Sequence, residues 1–208
     1  MNLFSPDSKI MRALSRVGDL MILNLLFLLS CVPIFTVGAA VTALYAVCFR
    51  FDTKDEGYVL RGYFRAFRAN FKQATILWLI LLFCGAAAAF DAWLFLSFAS
   101  ALHYMSILFI ALLLMVLLMT SMVFPLLSQF QNGNRNTLKN AMLLSLGYLP
   151  RSVLMVALAL FPFALLWMDP DFFWYVGFLW IALYFSAVAY LNTKLLKKVF
   201  APYREAEE

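Results

Sequence analysis

Residues 20–49 read LMILNLLFLLSCVPIFTVGAAVTALYAVCF, a stretch with no charged side chain, interrupted in its middle by Pro33 and Gly38. Proline removes a backbone donor and clashes with the preceding helical turn, and glycine lets the chain fold back. The stretch is therefore either one long kinked helix or two shorter helices joined at 33–38. The distribution of Lys and Arg over the rest of the chain separates the two, because basic residues beside membrane-crossing segments stay on the cytoplasmic side.

The chain has 208 residues, of which 65% are hydrophobic and 13% charged. An ordinary soluble domain carries about 25% charged residues. The apolar residues come in blocks, at about 17–33, 37–50, 73–98, 104–127, 152–168 and 172–193. Most approach the ~20 residues needed to cross ~30 Å of hydrocarbon. This pattern predicts an all-α polytopic membrane bundle, a single domain over 1–200 followed by a short charged tail at 201–208.

With a turn at 33–38, all sixteen basic residues fall on one side. Lys9, Arg12 and Arg16 precede the first crossing. Arg50, Lys54, Arg61, Arg65, Arg68 and Lys72 follow the second, Arg135, Lys139 and Arg151 follow the fourth, and Lys194, Lys197, Lys198 and Arg204 follow the last. The turns at 33–38, 99–103 and 168–171 hold none. A single crossing over 17–50 would put the first triplet opposite the next six. The partition predicts six crossings, the first two a short hairpin, with both termini in the cytoplasm. A cleavable signal peptide is the rival reading of the N-terminus, and it would leave the stretch from Arg50 starting outside, against the same rule.

The net charge of +5 does not point to nucleic acid, since the basic residues sit beside apolar blocks rather than on a soluble face. Cys31, Cys48 and Cys84 lie within apolar blocks without paired spacing or a neighbouring His, so neither a disulfide framework nor a zinc site is expected. The single histidine, His103, and the absence of a triad, phosphate loop or metal-ligand spacing argue against an enzyme and against a cofactor.

Between the second and third crossings lies DEGYVLRGYFRAFRANFKQA, residues 55–74. At about 100° per residue, Arg61, Arg65, Arg68 and Lys72 fall within roughly 60° of one another, and Leu60, Tyr63, Phe64, Phe67 and Phe71 occupy an adjacent arc. This predicts an amphipathic interfacial helix near 56–72, its aromatic arc at the acyl boundary. Its cations would meet anionic lipid head groups or serve as a docking surface for an acidic partner.

Polar groups inside the apolar blocks are the other candidates. Asp91, on the third crossing, is either a proton or cation site or a carboxylate near the outer head groups beside His103, and the lack of a second ionisable group within a crossing favours the latter. Asn24, on the first crossing, is expected to bond a neighbouring helix. Gly85 to Ala89 suggests close packing on the third crossing. Further along, residues 138–150 predict a short helix ending near Pro150, and Asp169 with Pro170 a helix start.

Several of these stretches look alike to a known group. Asp19-Leu20, Asn24-Leu25, Pro33, Thr36-x-Gly38-Ala39-Ala40, Ala43-Leu44-Tyr45, the run Phe64-x-x-Phe67-x-x-Asn70-Phe71-Lys72-Gln73-Ala74, and the late LKNAMLLSLGYLPRS resemble the YesL-like family of bacterial membrane proteins. That likeness covers about residues 3–200. It carries no activity or catalytic residue. Members are commonly encoded beside genes for binding-protein-dependent sugar importers and polysaccharide breakdown, which implies an accessory role in sugar uptake with importer subunits as partners. The competing expectation is a transporter that moves a small solute itself.

Overall fold

A computed structural model describes residues 9–51, 58–98, 101–168 and 170–204, and among them every regular element is helical. The elements are α1 (Lys9–Cys31), α2 (Val37–Arg50), α3 (Val59–Leu96), α4 (Met105–Gln129), α5 (Asn134–Gly147), α6 (Leu149–Met168), α7 (Pro170–Leu179) and α8 (Phe185–Arg204). A π-helical turn, Trp180–Tyr184, joins α7 to α8. The helix start expected at Asp169 lies outside the described residues; α7 does begin at Pro170, whose fixed φ suits a first helical position.

The stretch at 20–49 is two helices. Val32 and Pro33 break α1, a short 3₁₀ turn at Ile34–Thr36 follows, and α2 starts at Val37. The Thr36 hydroxyl stands 2.5 Å from the Ser30 carbonyl and 2.6 Å from that of Pro33, so it donates to the carbonyls that the end of α1 leaves open. At the other end, Arg16 on α1 donates to the Phe51 carbonyl at 2.6 Å. Thr36 beside Ser30 and Phe51 beside Arg16 fix α1 and α2 as an antiparallel hairpin. The guanidinium also lies 4.5 Å over the Phe51 ring, placing a cation at the negative end of α2.

Among the described residues, five helical stretches are long and apolar enough to cross a membrane: 14–31, 59–96, 105–129, 149–168 and 175–201. The chain is a multi-pass membrane protein. The sixth expected crossing, the second arm of the hairpin, is a shorter apolar helix of 14 residues, about 21 Å long at ~1.5 Å per residue. From Gly38 to Phe49 every residue of α2 except Val41 is buried. Such a helix is surrounded by protein rather than lipid.

Helix α3 changes the expected arrangement. The amphipathic stretch is not a separate interfacial helix but the first part of one 38-residue helix that continues without a break into the apolar crossing. At ~1.5 Å per residue it is about 57 Å long, almost twice the hydrocarbon thickness. Its two halves have different partners. Gly62 faces Val47, and Gly38 faces Ala74 and Trp78, so the hairpin runs antiparallel beside residues 62–78. Gln73 reaches Asn132, Trp78 meets Phe124, Gly85 faces Val116 and Phe95 stacks on Phe109, so α4 runs antiparallel beside residues 73–95. The hairpin tip is held at the middle of α3, where the Trp78 indole donates to the Ile34 carbonyl at 2.8 Å.

Gly38 makes that junction possible. A Cβ at this position would lie 2.6 Å from the Ala74 carbonyl oxygen, 2.6 Å from Trp78 Cβ and 2.9 Å from the Phe124 ring. Only a residue without a side chain lets α2 and α3 approach so closely.

Candidate functional site: a basic ladder on a rigid stem

Arg61, Arg65, Arg68 and Lys72 stand at spacings of four, three and four on the first half of α3, and all four are exposed. None of them pairs with a carboxylate among the described residues. Arg61 lies 5.5 Å over the Tyr58 ring, just before the helix start. Leu60, Arg61, Phe64, Arg65 and Arg68 together line an open surface cleft with a guanidinium on each turn.

The aromatic arc beside the ladder does not behave as one surface. Tyr63 is fully buried, with Phe64 edge-on at 5.8 Å and Phe67 stacked at 6.1 Å, and Phe67 packs on the core. Leu60, Phe64 and Phe71 remain exposed. The arc was expected at the acyl boundary; instead its inner members hold α3 against the hairpin. The physical reason is the hairpin itself, which offers Tyr63 a protein surface to bury against. The outcome is a stem whose inner face (Tyr63, Ala74, Leu77) is locked and whose outer face carries the cations.

Such a surface can hold an anionic group. Guanidinium groups present planar, paired donors that match carboxylate or phosphate, and the fixed helix keeps their backbone spacing, so that binding orders side chains alone. Among the described residues no cluster of His, Cys, Asp and Glu could hold a metal ion.

Asn24 is fully buried and completes a joint between helices. Its side-chain amide donates to the carbonyls of Trp180 at 3.1 Å and Ile181 at 2.6 Å, and its oxygen accepts from the Ser186 backbone N–H at 3.0 Å. Ser186 donates in turn to the Leu20 carbonyl at 2.8 Å. A π turn widens the helix and weakens its own ladder, and Asn24 occupies the opening. This agrees with the expected helix-to-helix role.

Asp91 is half-buried on the second half of α3, well away from the ladder, and no hydrogen bond or ion pair joins it to His103 among the described residues. His103 itself is exposed. Gly85 does face α4 closely, since a Cβ there would lie 3.5 Å from Val116.

Two polar residues escaped the sequence reading. Tyr45 and Asn192 meet in the core, the Asn192 amide donating to the Tyr45 hydroxyl at 3.2 Å. Asn192 falls inside the apolar block 172–193, so the rule that singled out Asn24 applies to it equally.

Comparison with known proteins adds one finding. A family profile described as "Protein of unknown function, DUF624" matches residues 20–92, about a third of the chain, comprising the end of α1, the turn, α2 and most of α3. The chain is similar to that family over the hairpin and the ladder. No curated protein and no solved structure matches.

Proposed function

We propose that this chain is an accessory or regulatory subunit of the bacterial plasma membrane, with both termini in the cytoplasm, that docks on an acidic partner through the ladder Arg61, Arg65, Arg68 and Lys72. The observation that carries this reading is the combination of four exposed cations, free of carboxylate partners among the described residues, with a helix whose opposite face is locked into the core. A row built only to set topology needs no such rigidity. Charge partition supports a cytoplasmic position for the row. The resemblance to the YesL-like family supports a partner among the subunits of a binding-protein-dependent sugar importer.

The test is capture from native membranes. A photo-crosslinking residue placed at Ala69, exposed and adjacent to Arg68, should recover a membrane-protein subunit bearing an acidic cytoplasmic face. Replacing Arg61, Arg65 and Arg68 together by Gln should lower that recovery about tenfold at physiological salt, given that each screened surface pair contributes ~0.2–1 kcal/mol, while insertion stays normal. Undiminished recovery by the triple variant would remove the docking role.

A further inference from the structure

A second feature is independent of the ladder. Between α2, α4, α6 and α8 lies a cavity of about 390 Å³, within the ~300–1,000 Å³ range of small-molecule sites. Its walls are apolar, with Phe27, Leu44, Leu117, Met155 and Val188 among them, and the exposed Leu160 and Phe163 of α6 form its rim.

The polar side chains that line it can be accounted for one by one. Trp78 donates to Ile34, Thr120 to Val116, Ser121 to Leu118 and Tyr184 to Leu158, each to a backbone carbonyl. Those protons are spent, and among the lining side chains Tyr45 and Asn192 alone keep unspent ones. One N–H of the Asn192 amide donates to the Tyr45 oxygen, which leaves the phenolic proton and the second amide N–H unspent, and the Asn192 oxygen has no partner although the residue is only 2% exposed. Exchanging the amide's oxygen and nitrogen keeps the count: the tyrosine would then donate to the oxygen, leaving both amide N–H groups and a phenolic lone pair. Either way the pair offers two donors and an acceptor beside an apolar cavity. Buried polar atoms are almost always satisfied, so an unsatisfied pair at a cavity wall calls for a partner.

We propose that this cavity binds an apolar alcohol, a hydrocarbon chain or ring system bearing one hydroxyl. A hydroxyl gives one hydrogen bond and accepts up to two, matching what Tyr45 and Asn192 leave open. An ester carbonyl of a lipid could accept from Tyr45 but could give nothing to Asn192. A phosphate or sugar would strand most of its polar groups against the apolar walls.

The test uses the full-length protein in nanodiscs, with a medium-chain alkanol carrying a distal diazirine as the probe and its methyl ether as the control. The alkanol should label residues 155–163 and 185–192, located by peptide mass spectrometry. The ether, which cannot donate, should label the same sites about tenfold less. Tyr45→Phe keeps the ring and removes a donor, and should lower alkanol labelling; combined with Asn192→Leu, which removes the rest of the pair's donors and acceptors, it should bring that labelling down to the ether level. If the double variant fails to fold, Tyr45→Phe alone decides. Equal labelling by alkanol and ether in the wild-type protein, labelling outside the cavity, or alkanol labelling unchanged by Tyr45→Phe would overturn the proposal.

Discussion

The two halves of α3 live in different surroundings. Residues 62–78 face a helix, α2, that is buried on nearly every side, and the matching part of α4 is also encased, with Met122 to Leu127 all buried. Residues 79–96 run beside the rest of α4, and there only Leu81, Ala88 and Ala92 of α3 and Ser106 and Val116 of α4 are buried. Phe83 is 76% exposed, Trp93 64% and Ile107 64%. The first half is held by polar pins at Trp78 and Gln73; among the described residues the second is held by packing alone, with the Phe95 and Phe109 rings stacked at 5.3 Å. Lipid solvates apolar side chains as well as protein does, so a pair of apolar helices needs little cover in the bilayer. A junction of three helices around a glycine needs fitted surfaces. The contrast predicts that the same chemical change will cost much at the junction and little beyond it.

Adding one methyl group tests this most directly. Gly38→Ala places a Cβ 2.6 Å from a backbone oxygen, which cannot move aside without shifting α2 from α3. The expected cost is about 3 kcal/mol, the upper end for overpacking. It would be measured as a loss of the folded fraction in denaturant titration of the detergent-solubilised protein. Gly85→Ala adds the same methyl at 3.5 Å from Val116, ordinary van der Waals contact, and should change stability by less than ~0.5 kcal/mol. Equal effects at the two glycines would erase the distinction between the halves.

Next in size is Asn24→Leu. The substitution keeps the volume roughly constant and strands the Trp180 and Ile181 carbonyls and the Ser186 N–H. About 2 kcal/mol is expected, within the ~1–3 kcal/mol of unsatisfied buried groups. The same titration reads it, and hydrogen exchange adds location, since amides around 180–186 should lose protection before those of α4. Protection lost uniformly would mean that Asn24 stabilises the whole bundle and not the π turn in particular.

Thr36→Val is a smaller test, made at the hairpin tip. The isosteric change removes a single hydroxyl from the end of α1, and roughly 1 kcal/mol is expected. A neutral result would show that Pro33 and the Trp78 bond to Ile34 hold the turn without it.

These effects also show which features could be read in the chain before folding. Pro33 and the one-sided distribution of Lys and Arg were sufficient for the hairpin, because they act locally or through the bilayer; Gly38, expected to let the chain fold back, lies inside α2 and serves its close approach to α3 instead. Asn24 was recognisable as a helix-to-helix contact because an amide in an apolar block must find a partner. Periodicity placed the four cations on one stripe, but it could not tell that the neighbouring aromatic arc would divide. Tyr63 turns inward because α2 is beside it, and that depends on residues many positions away. Nor did the apolar pattern show that α3 runs on unbroken from the ladder into the crossing, since nothing between Lys72 and Thr75 stops a helix. The Tyr45 and Asn192 pair was hidden for the same reason, its members lying 147 positions apart.

The smallest expected effect concerns Asp91, and there a null result is informative. The carboxylate sits in the loosely covered half, half-buried, and nothing around it among the described residues resembles the joint at Asn24. A site that binds a proton or cation within a membrane protein needs groups that replace water, supplied from more than one helix. Asp91→Asn should therefore leave stability within ~0.5 kcal/mol of the original. A loss of a kilocalorie or more that grows with added cation would mean that a cation is held there. The second half of α3 would then be more than a lipid-solvated hairpin, and the division drawn along that helix would have to be redrawn around Asp91.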